Sequence, residues 1–397
     1  MSRKNKIVMS AVCLFMLLMI VCLTIVLGNL KGLLTSQQAA RRWRGESDER
    51  FAQLSCFMPV GQGIDLNTIR AFEDTVDAKL LEASLEAPES GALWVDAWST
   101  DTTLTVSGSK GSASDVPVIA VGGEFFQFHP LNLVSGAYMS AGDIMQDRII
   151  IDTELAWRLF GASNVAGMTV TIDGEPYIVA GVIERDDDFA DKKAYISGAG
   201  MFMSYDKLVE KNKDTSISCY EIVMPDPISG FALSVAESEF TPKDGMVVEN
   251  SARYSISALL KVIGSFGERS MRADGILLPY WENAARLIEN HAAIVLLLMM
   301  VCAVFPVLCL LILLVKGKRR LEAAIPVLKE RMITAIEDSR DRRRQRREAL
   351  SGTQHEAEIE GTEQARLPEA ELDEQTKMDI QKIIDEVLGE QQKGGSK

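Results

Sequence analysis

Two uncharged apolar stretches dominate the hydropathy pattern of this chain, the first from Ile7 to Leu30 and the second from Ala292 to Val315. Each exceeds the roughly 20 residues that an α-helix needs to cross a hydrocarbon core of about 30 Å. The first run is also longer than the apolar core of a signal peptide, about 7–15 residues, which favours an uncleaved anchor over a cleaved leader. The pattern therefore predicts transmembrane helices over residues 7–30 and 292–315, which flank a soluble domain over residues 31–291.

Basic residues beside the two predicted spans indicate which side of the membrane each flank occupies. Residues 3–6 carry three basic side chains and residues 316–320 carry four. On the other flanks, residues 31–44 also carry four, but residues 281–291 carry one. Lysine and arginine are preferentially retained in the cytoplasm. The balance favours cytoplasmic termini, residues 1–6 and 316–397, and an extracytoplasmic central domain.

Segments in which apolar residues recur every second residue alternate with segments in which they recur about every 3.6 residues. The first pattern is typical of strands and the second of helices, so the predicted outer domain has an α+β fold. Asp65 stands where a helix N-cap is expected. A polar helix over residues 37–50 is predicted to extend the first span as a stalk. The other elements predicted outside the central insert are strands at 51–58, 93–98, 103–106, 219–224 and 246–249, and helices at 65–86 and 228–240. The two separated strand–helix–strand groups are expected to form one layer.

Residues 115–205 are predicted to be a β-rich insert into that layer. Gly161 is expected to be the C′ residue of a short helix. Asp173-Gly174 is a strong hairpin signal between two runs of alternating apolar and polar residues. The predicted elements of the insert are strands at 116–121, 148–152, 168–172 and 177–183, and a helix at 153–160.

The charge of the chain is unevenly distributed along its length. Residues 30–291 hold 22 basic and 38 acidic side chains, a net charge of −16. An acidic outer domain argues against nucleic acid as a partner. Residues 316–350 carry a net charge of +6 and are predicted to form a basic juxtamembrane helix. That charge fits either contact with anionic headgroups of the lipid bilayer or ordinary positive flanking charge.

Candidate chemistry is sparse along the whole chain. Cys56 and Cys219 are the two cysteines outside the predicted spans, and they are either a disulfide pair or two free thiols. The acidic residues at 186–188 and 191 lack the spacing of a calcium loop and are predicted to be a solvated loop. The glycine-rich segment 197–200 is not a nucleophile elbow. We therefore predict no catalytic residues, no metal, no cofactor and no enzymatic activity.

Three motifs of the insert occur together in a known family. They are a step at Leu133, Gly136 and Met139, the sequence LAWRLFG at 155–161, and a hairpin with Val165, Gly167, Val170, Ile172, Gly174, Tyr177, Val179, Gly181 and Val182. In this order and spacing they resemble the MacB-type periplasmic core domain of FtsX/MacB-family ABC transporter permeases. The resemblance implies a partner ATPase, because this sequence contains no G-x-x-x-x-G-K-[ST] phosphate loop. It also implies two further spans after the second, which this sequence does not show.

The segment after the second span is the place where the resemblance implies contact with an ATPase. An apolar stripe at helical spacing is predicted to form the cytoplasmic partner contact, although the family's own residues are not kept there. The stripe consists of Leu321, Ile325, Leu328, Met332 and Ile336. Pro326 is expected to break or bend this helix.

The acidic tail over residues 351–397 has the composition of a disordered segment. Within it, residues 372–388 are predicted to form an amphipathic helix that docks on a partner. The side chains predicted to dock are Ile380, Ile383, Ile384, Val387 and Leu388.

These features together predict a non-catalytic membrane subunit of an ABC-type transport or mechanotransmission assembly. The resemblance implies that movement of a partner ATPase passes through the segments 31–50, 281–291 and 319–336 to the outer domain. The implied partners are an ABC ATPase, a further permease subunit, and other copies of this or another chain in an oligomer. The alternative is a membrane-anchored extracytoplasmic interaction or sensor protein with no role in transport.

Overall fold

The fold is that of a computed structural model of the full chain. The structure describes residues 3–86, 91–140, 142–186, 189–194, 200–240, 245–266, 272–273 and 276–357, together with Met378 and Lys382. The chain divides into two compact units. One unit comprises Val21–Met300, and the other comprises Met1–Ile20 with Val301–Lys397.

Helices occupy both ends of the described chain and are interspersed among its strands. They are α1 (Arg3–Leu33), α2 (Ala39–Arg44), α3 (Leu66–Glu82), α4 (Phe125–Phe128), α5 (Thr153–Phe160), α6 (Asp191–Ala194), α7 (Tyr205–Lys211), α8 (Phe231–Glu239), α9 (Ile256–Gly264) and α10 (Tyr280–Ala357), with 3₁₀ turns at Thr35–Gln38 and Asn250–Ala252. The strands are β1 (Phe51–Phe57), β2 (Val95–Ser107), β3 (Ser112–Gly123), β4 (Asn132–Gly136), β5 (Arg148–Asp152), β6 (Thr169–Ile172), β7 (Glu175–Glu184), β8 (Met201–Ser204), β9 (Cys219–Pro225), β10 (Met246–Glu249), β11 (Arg272–Ala273) and β12 (Ile276–Leu277).

Helices α1 and α10 are, within the described residues, the two helices long and apolar enough to cross a membrane. They contain the two apolar runs from which the spans were predicted. Helix α10 continues through Pro306 and Pro326 as one element. The helix therefore does not break at Pro326, and the bend that was the other expectation there stays a prediction. A proline removes one N–H donor, and here the turns on both sides of it keep their helical hydrogen bonds.

The predicted helical stalk over residues 37–50 is also wrong, because α1 ends at Leu33. Leu34 is extended, with φ −90° and ψ 113°, and a 3₁₀ turn separates it from the short helix α2. Leu34 is buried against Ala284, Ala285 and Ile288 of α10. The last turn of α1 is closed by Gln38, whose Nε2 donates to the carbonyl of Gly32 at 3.0 Å. The helix therefore ends where Leu34 becomes buried, and the chain continues onto the domain instead of extending α1.

One mixed sheet organises the domain. Its strand order is β10-β1-β9-β2-β3-β8-β5-β7-β4, with β6 pairing with β2 and β7. The strands of the two separated strand–helix–strand groups alternate in this order, as β10-β1-β9-β2, which confirms that the groups form one layer. The insert extends the same sheet from β3 onward, and its pairs β3–β8 and β5–β7 are parallel.

The structure corrects one strand prediction. The segments 93–98 and 103–106 were expected to flank a turn, but residues 95–107 form the single strand β2. Strand β3 pairs with it along nearly its whole length, with one register shift between Leu104 and Val106. The intervening residues Ser99–Thr103 are polar but rich in threonine, which suits an extended backbone once a neighbouring strand supplies the hydrogen bonds.

Local signals in the sequence were more reliable. Asp65 caps α3 by accepting from the backbone N–H of Thr68 at 2.9 Å. Gly161 ends α5 in the left-handed region, with φ 70°. Asp173 and Gly174 both have positive φ, 52° and 84°, which is the geometry of a type I′ hairpin turn between β6 and β7.

One apolar cluster covers each face of the sheet. Because successive side chains of a strand point to opposite faces, neighbouring residues belong to different clusters. Cys56 and its cross-strand partner Tyr220 lie in the cluster of one face. Phe57 and its partner Cys219 lie in the cluster of the other face. Cys56 and Cys219 are both free thiols. The disulfide considered from the sequence is therefore not formed, because the two side chains project to opposite sides of the sheet.

Candidate functional site

The face of β1 that is turned toward α2 and α10 carries buried polar side chains at alternating positions. Gln53 is one of them, and it is fully buried. Its Oε1 accepts from the backbone N–H of Ala39 at 2.9 Å, and its Nε2 donates to the carbonyl of Ser36 at 2.7 Å. Gln53 therefore anchors the segment that follows α1 on β1, the strand next to the edge strand β10.

Ser55, two residues further along the same face, begins a second set of polar contacts. It stands directly opposite Glu221 of β9. The Ser55 hydroxyl donates to Glu221 Oε1 at 2.7 Å. The other carboxylate oxygen of Glu221 contacts Nε2 of His129, which follows α4. The imidazole ring is enclosed by Phe125 and Trp281, whose ring centroids are 4.5 and 4.4 Å away.

The same contacts continue from Ser55 toward the beginning of α10. Asn250 donates from Nδ2 to the Ser55 hydroxyl at 2.7 Å, and its Oδ1 accepts from Arg253 Nη2 at 2.9 Å. Arg253 in turn donates to both carboxylate oxygens of Glu282, at 2.6 and 3.3 Å. We call this continuous set the polar network: Ser55, His129, Glu221, Asn250, Arg253 and Glu282.

The electrostatics of the polar network centre on one buried cation. The side chains of Arg253 and Glu282 are only 1% and 2% exposed, and Glu289 lies 3.4 Å from Arg253. Burial acts to lower the pKa of Arg253, but the charges of Glu282 and Glu289 outweigh it and hold that pKa above its ordinary value. The guanidinium therefore stays charged. Removing either member of such a pair leaves an uncompensated buried charge, which is strongly destabilising.

Most donors and acceptors of the polar network bond to other members of the network. This arrangement is better suited to a structural role than to binding a substrate. It joins β1 and β9 of the sheet to the first turn of α10. Apolar packing reinforces this junction, because Ala284, Ala285 and Ile288 of α10 are fully buried. The segment 281–291 is thus packed on the domain. The link between the base of α10 and the sheet contains short, charged hydrogen bonds, which are stronger than neutral ones.

The side chains predicted to contact partners lie elsewhere. The five stripe residues share one side of α10, where Leu321, Ile325 and Ile336 are exposed and Leu328 and Met332 are half-buried. The tail docking residues Ile380, Ile383, Ile384, Val387 and Leu388 lie outside the described residues. The structure therefore leaves both partner contacts as predictions.

The acidic cluster considered for a metal is only partly covered by the structure. Asp187 and Asp188 lie outside the described residues. Asp191 is buried, with 4% exposure, so it does not belong to a solvated loop as predicted. Within the described part of the chain, His, Cys, Asp and Glu side chains do not form a group of three or more that could hold a metal ion.

Sequence reasoning missed the polar network, although some signals were present. Glu221 interrupts an otherwise apolar strand, and Ser55 and Gln53 fall on one face of β1 by their spacing. Glu282 and Glu289 lie seven residues apart just before the second apolar run, on one face of a helix. Each of these residues alone would also fit a solvent-exposed position. Only the strand order shows that their side chains contact one another.

The comparisons with known proteins bear on this same domain. Among curated proteins, none shows significant similarity to the chain. Two solved structures are similar over about half of it. The periplasmic region of MacB from Actinobacillus actinomycetemcomitans has 14% identity and a TM-score of 0.35, covering 55% of this chain and 94% of its own. The extracellular domain of the noncanonic ABC-type transporter YknZ from Gram-positive bacteria has 15% identity and a TM-score of 0.32. This match covers 50% of this chain and 100% of the YknZ domain.

One family model also matches the chain. It is the MacB-like periplasmic core domain, and it matches residues 20–238. The match runs from within α1 through the sheet to α8, so it includes the insert whose motifs suggested the resemblance. Because the match extends over more than half of the sequence, this chain belongs to the family of proteins with a MacB-like periplasmic core domain.

Proposed function

We propose that this chain is a non-catalytic membrane subunit of an ABC-type assembly, in which movement driven by a partner ATPase reaches the outer domain through the long helices. The observation that carries the proposal is the polar network, which links the first turn of α10 to strands β1 and β9 of the sheet. Gln53 provides the matching link from the end of α1 to the same strand. A shift of either helix base would therefore displace β1.

The orientation belongs to the same proposal. Both termini are cytoplasmic and the domain between α1 and α10 is extracytoplasmic. The basic residues at 3–6 and 316–347 support this orientation, because such residues are retained on the cytoplasmic side. The exposed stripe on α10 then faces the compartment in which ATP is available, and the partner ATPase binds there.

A pull-down of the tagged full chain in mild detergent tests the proposal. We expect an ATP-binding subunit to co-purify with the full chain and to be lost when residues 316–397 are removed. A single substitution in the stripe, Ile325→Ser, should weaken this recovery. The matched control is Val327→Ser, which also removes an exposed branched side chain from α10 but lies off the stripe.

Two outcomes would contradict the proposal. If no ATP-binding subunit is recovered with either form of the chain, the alternative of an extracytoplasmic interaction or sensor protein is favoured. If Ile325→Ser and Val327→Ser lower the recovery equally, the stripe is not the contact surface, even if the cytoplasmic segment as a whole is needed.

A further inference from the structure

A cavity beside the domain-side end of α1 is lined by four basic side chains, of which Arg50 pairs with Asp226 at 3.1 Å. Its volume is about 620 Å³, and Lys31, Arg41 and Arg44 line it. Within the described ranges, none of these three side chains forms a hydrogen bond or an ion pair with another residue. Arg42 differs, because it donates to the carbonyls of Thr35 and Gln127, at 2.6 and 2.7 Å. Arg42 thus holds the fold together, whereas the side chains of Lys31, Arg41 and Arg44 leave their charges available.

The position of this charge is unexpected for the domain that carries it. The domain is acidic, with a net charge of −16 over residues 30–291. In the orientation of the proposed function, the cluster also lies on the extracytoplasmic flank, where lysine and arginine are normally depleted. Neither the folding of the domain nor its topology accounts for three free cations at this point. An anionic ligand does account for them.

Two residues that line the same cavity also carry a buried polar atom without a hydrogen-bond partner among the described residues. These atoms are the hydroxyl of Tyr254 and Oε1 of Gln37. Buried polar groups are nearly always hydrogen-bonded, so two unpartnered atoms on residues beside one cavity point to a ligand or water that completes them. A tyrosine hydroxyl can donate to a phosphate oxygen. A glutamine carbonyl accepts, so it fits a hydroxyl group on the same ligand.

The neighbouring helix α9 presents apolar side chains to the outside. Ile256 and Leu260 are 69% and 45% exposed. On its other side, Leu259 is buried against Ala292 and Leu296 of α10, so α9 lies beside the base of that long helix. Exposed apolar side chains beside the end of a spanning helix are placed to contact acyl chains at the membrane interface. Ser255, which caps α9, lines the basic cavity.

We propose that this cavity binds the headgroup of an anionic phospholipid, with its acyl chains against the exposed side of α9. Lys31, Arg41 and Arg44 face the phosphate and Tyr254 donates to it. Gln37 accepts from a hydroxyl of the headgroup, as in phosphatidylglycerol. A bound lipid at this point holds the end of α1 and the segment anchored by Gln53 at a fixed depth in the membrane.

Native mass spectrometry of the full chain in detergent tests this site, with phosphatidylglycerol and phosphatidylcholine as the probes. We expect the chain to retain phosphatidylglycerol in preference to phosphatidylcholine. The double variant Arg41→Gln/Arg44→Gln should reduce that retention about tenfold or more, since each basic side chain near an anionic headgroup contributes to binding. Tyr254→Phe should reduce it about two- to fivefold through the loss of one hydrogen bond.

The matched control is Lys110→Gln/Lys213→Gln, which removes two exposed charges from the same domain away from the cavity. Its retention of phosphatidylglycerol should equal that of the unaltered chain. Equal losses in both double variants would overturn the site in favour of diffuse electrostatic attraction. Unchanged retention in Arg41→Gln/Arg44→Gln and Tyr254→Phe would also overturn it. Displacement of the lipid by millimolar inorganic phosphate would identify a free anion as the ligand and overturn the lipid proposal.

Discussion

Replacing Arg253 by methionine tests whether the polar network holds the outer domain to the base of α10. The substitution keeps most of the side-chain length but removes the only cation that Glu282 contacts at hydrogen-bond distance among the described residues. It leaves the Glu282 carboxylate, 2% exposed, with the more distant guanidinium of Arg286, at 3.9 Å, as its counter-charge, and it frees Oδ1 of Asn250. Both consequences act on the folded state.

The expected cost is about 3–5 kcal/mol of unfolding free energy, the range for breaking a buried ion pair from one side. That is a large share of the total stability of about 5–15 kcal/mol that is typical of a domain. Glu282→Gln should cost less, about 1–2 kcal/mol, because the amide still accepts from Arg253 and Glu289 still balances its charge. The double variant Arg253→Met/Glu282→Leu should cost less than the sum of its parts, because the buried Glu282 carboxylate is removed together with the cation that it pairs with.

Urea unfolding of the full chain in non-ionic detergent, followed by tryptophan fluorescence, measures these differences. Trp281 reports on the junction directly, since its ring lies against His129. The matched control is Arg158→Met, which breaks an exposed pair with Glu154 and should change stability by no more than about 0.5 kcal/mol. If Arg253→Met costs no more than this control, the polar network does not hold the junction. Costs that simply add in the double variant would refute the buried-charge argument.

Three further predictions concern the sheet. Burial and a neighbouring carboxylate raise the pKa of Asp96 to about 7, so its contribution to stability is complete below about pH 4 and is lost as the pH rises through about 7. Asp96→Asn should therefore flatten the fall in thermal stability toward pH 8, a fall of at most about 4 kcal/mol. Gly136→Ala should cost about 3 kcal/mol or more in urea unfolding, because its φ is +78° and the new Cβ would lie 2.0 Å from the carbonyl oxygen of Ala180. Burial raises the thiol pKa of Cys56 and Cys219, so mass spectrometry should find both unalkylated by iodoacetamide until the protein unfolds.

Each of these predictions has its own control. Asp115→Asn alters an exposed carboxylate and should leave the pH dependence of stability unchanged. Gly174→Ala combines a φ of +84° with open space around the new Cβ, so it should cost only about 1 kcal/mol. A larger effect of Gly174→Ala than of Gly136→Ala would contradict the steric argument. Alkylation of Cys56 or Cys219 in the folded chain would contradict their burial.

Membership of the family and the positions of the long helices were readable from the sequence because their signals are local. An apolar run of sufficient length predicts a span whatever surrounds it. The cap at Asp65, the helix end at Gly161 and the Asp173-Gly174 turn depend on residues within a few positions of one another. Their dihedral preferences and short-range hydrogen bonds act in the same way in any fold.

The tertiary structure decided the features that depend on distant partners. Strand β2 is continuous because β3 supplies its hydrogen bonds, and α1 stops at Leu33 because Leu34 is buried against α10. The polar network joins Ser55 to Glu221, 166 residues later in the chain, and Arg253 to Glu282. The alternation of a strand shows which side chains share a face, but not which strand lies beside it. The sequence by itself therefore determined the two long apolar helices and the family of the domain between them, whereas only the strand order, and the burial it creates, brought these polar residues together.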